Sequence, residues 1–342
     1  MKKVVRYLLS YALPLVAGIG LLIYTFRDQD LSQVKSLFQQ APIGWILLSF
    51  FFAFVSHWAR AYRWLYLLDP LGYRVKISHS FVAVMTGYFA NLLLPRMGEV
   101  TRCALLQKTD RVPANVSFGT VITERIIDLF ILLGLVMLTL VMESARIGQF
   151  ILNLFGEKAN QWITSLQNNV WAWVVLTAGA VGCFVLLFFI AKRYRHLAFI
   201  QKALRLLEGL WAGVLSVRKV KNKPAFFFFT VLIWLMYYLM AYVLFFCHPQ
   251  TAQLGILAGL SILVLGGLGI AAPVQGGIGA YHFLVMNAFM MYGLPKDFSL
   301  SFATFMHTIQ TLAVVILGGL SFIGSLFIKS QSTAPVKNSK KV

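Results

Sequence analysis

An apolar run over residues 81–94 has the makings of a membrane span but does not finish one. It stops at Pro95, and Arg96, Gly98, Glu99 and Arg102 follow at once. Hydrocarbon can satisfy neither charges nor free backbone groups, so such a break survives only where protein or water encloses it. Broken helices with a charged tip are one way that transporters build a site for a polar substrate near the membrane midplane. The chain is therefore limited to folds in which other spans surround this break.

Those other spans are plain in the composition. Of the 342 residues, 59% are hydrophobic and 12% are charged, and the mean hydropathy is +0.77. Apolar runs reach or approach the ~20 residues needed to cross a core of ~30 Å. The reading is an all-α polytopic membrane protein with six full spans, near 7–26, 43–68, 115–142, 170–191, 225–247 and 298–328. Two re-entrant or broken hairpins, 77–112 and 254–294, complete it. Residues 1–328 make a single transmembrane domain, and 329–342 a disordered basic tail too polar to build a core. Lys2, Lys3 and Arg6 precede the first run as in a signal peptide. That run, at about twenty residues, is longer than a usual signal core and has no clear small-x-small cleavage site, so a retained first span is expected. Cys103, Cys183 and Cys247 are scattered in or near apolar segments and form neither a metal spacing nor a disulfide framework.

The net charge of +19 is a topology signal rather than a nucleic-acid one. Basic residues crowd 192–223 and the C-terminal tail, whereas 27–42, 143–169 and 292–297 carry equal numbers of basic and acidic residues. The positive-inside rule then places both termini in the cytoplasm, at the inner membrane. Both flanks of 77–112 are basic, so that hairpin dips in from the cytoplasm. The flanks of 254–294 look external, so that one enters from outside, with two ordinary short spans as the alternative. Apolar positions at helical spacing make 143–169 an interfacial helix, and 192–224 a basic amphipathic helix on an anionic leaflet.

Charged residues inside such a chain are the candidate site. Glu124, Arg125 and Asp128 fall near the bilayer centre of their span. Glu124 and Asp128, four apart, share a face; Arg125 is turned about 100° away. They make either an internal network, with Arg125 or Arg96 paired to Glu124 or Asp128, or a proton-coupling or headgroup-contacting set. Arg60 and Arg63, one turn apart, either snorkel to the cytoplasm or bind phosphate, for which a guanidinium fork is well shaped. At the first break Asn91, Arg96, Glu99 and Arg102 surround free helix ends that make a phosphate nest, and Glu99 with Arg102 can equally form a local ion pair. At the second break Gly276, Gly277 and Gly279 allow a tight turn and close helix approach. They follow no strand and lack a P-loop lysine. His282 comes next and is either simply hydrogen-bonded or a proton carrier; His307 and Gln310, one turn apart in the last span, are weaker candidates. The sequence shows no catalytic set, metal cluster or cofactor motif.

In order, the chain reads Arg60-x-x-Arg63-Trp64, Asn91-x-x-x-Pro95-Arg96-x-Gly98-Glu99-x-x-Arg102, Glu124-Arg125-x-x-Asp128 and Pro273-x-x-Gly276-Gly277-x-Gly279. This series resembles the transmembrane flippase region of the lysylphosphatidylglycerol synthases and their stand-alone relatives, over roughly residues 5–328. The resemblance implies lipid translocation between leaflets, with anionic or lipid-phosphate headgroups as ligands. Two departures matter. Only a short tail follows residue 328, where the synthases carry a soluble aminoacyl-transferase domain, so no synthase activity is expected. His282 stands where the family often has a glutamate. The leading expectation is flipping of a polar-headed phospholipid or lipid-linked phosphate. The alternatives are an integral-membrane transferase acting on a lipid headgroup and a non-transporting accessory subunit of envelope biogenesis. Homo-oligomers and an envelope-enzyme partner stay open.

Overall fold

The computed structural model describes residues 31–93, 97–149, 220–272 and 274–328. The expected spans 7–26 and 170–191, most of the segments 143–169 and 192–224, Cys183, Arg96 and the tail lie outside the described residues. The chain divides into two compact units, Met1–Thr139 with Val217–Val342, and Leu140–Ser216. Of the second unit only 140–149 is described; there Arg146 Nη1 lies 3.0 Å from Glu143 Oε2, one turn away.

Every regular element among the described residues is helical. An amphipathic α1 (Leu31–Gln40) leads through Pro42 into α2 (Ile43–Leu68), which ends in a single 3-10 turn at Asp69–Leu71. Then come α3 (Ile77–Leu93), α4 (Met97–Asp110) and α5 (Ala114–Met142). After 220–222 follow α6 (Lys223–Tyr242), a 3-10 extension Val243–Cys247 and a one-turn α7 (Pro249–Ala252). Next are α8 (Ile256–Ala271), a 3-10 turn at Gln275–Gly277, α9 (Ala280–Met291) and α10 (Lys296–Phe327). Local chemistry sets these limits. The Asn222 side chain accepts from the Ala225 amide at the start of α6, with Pro224 in its first turn. Pro295 precedes α10, and Gly72, at φ +88, closes the turn after α2.

Among the described residues, four segments are long and apolar enough to cross a membrane: Ile43–Leu71, Ala114–Met142, Lys223–Cys247 and Lys296–Phe327. They agree with the expected spans near 43–68, 115–142, 225–247 and 298–328. Within the segment 77–112, expected as a hairpin, α3 and α4 pack on each other. At 254–294, α8 and α9 also pack on each other. They have 16 and 12 residues. At 1.5 Å per residue both fall short of a ~30 Å core. Of the two readings of 254–294, the re-entrant pair therefore fits better than two full spans.

The burial pattern is that of a lipid-facing bundle. Phe327 is 79% exposed while Arg63 is fully buried. One core joins α1, α6, α8, α9 and α10 through Leu37, Leu244, Ile262, Val285, Phe289, Phe302 and Phe305. A second joins α2 to α5 through Trp64, Leu68, Val84, Leu106 and Val121. The charged residues sit beside this second core.

Candidate functional site

The site is assembled from three helices and one break. From α2, His57, Arg60 and Trp64 fall on one face at helical spacing, and Arg63 lies next to it. From α5 come Glu124 and Asp128, one turn apart, and from α4 comes Arg102. Arg63 Nη1 donates to Asp128 Oδ1 at 2.8 Å, and Arg63 Nε stands 3.8 Å from Glu124 Oε1. Arg60 Nη1 lies 3.0 Å from Asp128 Oδ2. Arg102 Nη2 donates to Glu124 Oε2. Its guanidinium also lies over the Trp64 ring at 4.6 Å, and Trp64 Nε1 donates to Thr120 Oγ1 at 2.8 Å. Arg63 and Glu124 are fully buried, whereas the Asp128 side chain keeps 13% of its surface. Asp128 is therefore the open end of the network.

This geometry corrects the sequence reading in three places. Arg125 does not pair with Glu124 or Asp128; its Nη2 lies 3.0 Å from Glu99 Oε1, and its side chain is 43% exposed. The 100° turn from Glu124 aims it at the start of α4 and away from the buried face. Glu99 and Arg102 do not pair with each other either, since each meets a different residue of α5. Arg60 and Arg63 do not snorkel: they are 3% and 0% exposed and are held by carboxylates. In a low dielectric, paired charges of this kind are far cheaper to keep than unpaired ones.

The break itself is braced by Asn91. Its Oδ1 accepts from the Gly98 amide at 2.6 Å, satisfying one of the free donors at the start of α4. Gly98 has no room for a side chain. A Cβ there would stand 2.6 Å from Asn91 Nδ2 and press on the Gly87 carbonyl of α3. Met97 and Glu99 flank it on the described side; Arg96 lies outside the described residues.

At the second break Gly276, Gly277 and Gly279 have φ of +58, +75 and +85, a region that side chains disfavour. The His282 Nδ1 accepts from the Gly279 amide at 3.2 Å. Its ring meets that of His307 edge to face, with centroids 4.8 Å apart. His307 Nε2 donates to the Gly276 carbonyl at 3.0 Å, so the last span holds the turn. Gln275 Nε2 donates to the Leu92 carbonyl at 2.6 Å and ties the second break to the end of α3.

The structure thus gathers Arg60, Arg63, Arg102, Glu124 and Asp128 into one cluster, with Glu99 and Arg125 as a half-exposed pair at its side. Among these residues four guanidiniums face three carboxylates. Sequence reading missed Gln275, whose role depends on a contact 183 residues away. It also missed His57, Tyr88 and Tyr237, although His57 shares the helical spacing of Arg60 and Trp64. Outside the cluster, His79 Nδ1 lies 3.0 Å from both oxygens of Asp110 and ties the start of α3 to the end of α4. Among the described residues no three His, Cys, Asp or Glu side chains stand together as a metal site.

The family described as the lysylphosphatidylglycerol synthase TM region matches residues 8–318. A UPF0104 membrane protein of Methanocaldococcus jannaschii is 20% identical over 329 residues, which covers 87% of this chain and 88% of the relative. No solved structure matches the chain.

Proposed function

The chain belongs to the family of the lysylphosphatidylglycerol synthase TM region, and on that premise we propose that it translocates a polar-headed phospholipid or lipid-linked phosphate across the cytoplasmic membrane. The observation that carries the reading is the buried cluster of Arg60, Arg63 and Arg102 with Glu124 and Asp128 beside a broken helix pair. A guanidinium fork binds phosphate as well as it binds carboxylate. A phosphate group arriving at the Asp128 end exchanges with that carboxylate for Arg60 and Arg63, and leaves when the carboxylate returns. Such exchange needs no covalent step, and carboxylates engaged by arginines are poor general bases. The reading is therefore transport rather than group transfer. The excess of basic residues at 192–223 and the tail supports cytoplasmic termini in this scheme.

The test uses purified full-length protein in liposomes that carry a headgroup-labelled phosphatidylglycerol, with an impermeant quencher added outside. The expected result is quenching of the inner-leaflet label faster than in protein-free vesicles, slowed at least tenfold by Arg60→Gln. Inner-leaflet label equally protected with and without wild-type protein would overturn the reading.

A further inference from the structure

Between α2, α3 and α6 stands a second group of polar atoms that the ion-pair network does not use. His57 and Arg60, one turn apart on α2, are 6% and 3% exposed. His57 Nδ1 and Arg60 Nε are buried and make no hydrogen bond. The Trp234 Nε1 of α6 is likewise buried without a partner. Aromatic rings frame them. The His57 ring lies 4.7 Å from Tyr88 of α3 and 6.3 Å from Tyr237 of α6. The Arg60 guanidinium is 6.0 Å from the Tyr88 ring and 5.9 Å from the Tyr237 ring, and Trp234 meets Tyr237 at 6.1 Å. The two tyrosine hydroxyls are 3.5 Å apart. Buried polar atoms are nearly always paired, and three unpaired ones gathered around the Tyr237 ring call for a ligand.

Their chemistry says which ligand. Arg60 Nε and Trp234 Nε1 can only donate, and His57 Nδ1 donates in the tautomer that carries its proton there. The missing group is an acceptor. A ligand ammonium is disfavoured, because the Arg60 guanidinium already occupies the space between the two tyrosine rings. The adjoining network, with four guanidiniums against three carboxylates, leaves one positive charge to be balanced. We infer that His57, Arg60 and Trp234 form a phosphate subsite, framed by Tyr88 and Tyr237, that takes a singly charged phosphodiester in preference to a zwitterionic headgroup. This rests on the reading of the protein as a lipid-phosphate carrier and adds where the phosphate sits and which headgroup charge is selected.

The test measures lipid retained by the purified full-length protein, by native mass spectrometry, after incubation with mixed micelles of phosphatidylglycerol or phosphatidylcholine. His57→Phe and Trp234→Phe keep an aromatic ring and remove the N–H. Each is expected to lower phosphatidylglycerol retention about tenfold, the scale of one hydrogen bond to a charged group. Phosphatidylcholine, whose phosphate charge is offset by its own choline, should be retained less by wild type and should lose less in the variants, and the lipid-free variants should stay monodisperse. Millimolar inorganic phosphate separates the two sources of this anion: failure to displace phosphatidylglycerol supports the lipid headgroup, and displacement supports free phosphate at the same subsite. Retention of phosphatidylglycerol by both variants at the wild-type level, or equal retention of the two lipids by wild type, would overturn the inference. Translocation by wild-type protein together with unaffected variants would sink the subsite and leave the transport reading standing. Loss of retention in the variants with no translocation by wild type would do the reverse.

Discussion

At the α3–α4 break, side-chain charge does the closing: Arg102 reaches Glu124, Arg125 reaches Glu99, and Asn91 caps Gly98. At the α8–α9 break, backbone shape does it: three glycines at positive φ turn the chain, His307 holds the Gly276 carbonyl, and His282 caps Gly279. The first arrangement can trade partners, since a carboxylate and a phosphate compete for the same fork. The second has no charge to trade and works as a fixed turn. Gln275 joins the two by bonding the Leu92 carbonyl. In the proposed transport scheme, the first break would carry the substrate chemistry and the second its support.

The largest expected effect breaks the ionic side. Arg63→Ala leaves the fully buried Glu124 and the nearly buried Asp128 each short of a partner, at a cost of about 3–5 kcal/mol. Little monodisperse protein should be recovered by fluorescence-detected size exclusion. Arg102→Ala should behave alike, and the double variant Arg102→Gln with Glu124→Gln should recover much of the yield because no lone charge remains. A next test sharpens the steric side of the same break. Gly98→Ala drives a Cβ into Asn91 and Gly87, and overpacking of that kind costs roughly 1–3 kcal/mol. It should lower the melting temperature more than Gly276→Ala does. At Gly276 the nearest non-neighbouring atom is a Leu92 methyl 3.6 Å from the added Cβ, so only the left-handed backbone is penalised, by about 1 kcal/mol. The smallest effect is at the rim. Arg125→Ala removes a half-exposed pair with Glu99 and should cost roughly 0.2–1 kcal/mol, with near-normal yield. A collapse of yield in Arg125→Ala would place that arginine inside the network and undo the contrast.

How much of this was legible in the sequence follows the same division. Spans and breaks are encoded locally. Apolar length sets α2, α5, α6 and α10, while Pro95 and the run of glycines after Pro273 mark the two interruptions, so these could be read from the chain alone. That Glu124 and Asp128 belong inside was also legible, because mid-span carboxylates have no cheap place in lipid; for Arg60 and Arg63 snorkelling fitted the sequence equally well. Their partners were not. Arg125 lies next to Glu124 in sequence yet points elsewhere, because helix geometry turns adjacent residues apart. Glu99 and Arg102 are spaced as a local pair, but each finds a carboxylate or guanidinium on α5. Gln275 carries no signal of its own, since an amide in a glycine-rich turn gains meaning only when the end of α3 is placed beside it.

The central claim is that Asp128 competes with a lipid phosphate for Arg60 and Arg63. The most direct measurement is phosphatidylglycerol retention by the monodisperse fraction of Asp128→Asn, beside wild type, with the translocation rate taken on the same preparations. Removing the competing charge while keeping an acceptor for Arg63 should raise retention about tenfold and slow translocation, because the lipid is no longer displaced. Retention that falls below wild type would contradict the account, for Asp128 would then be helping to hold the lipid rather than competing with it.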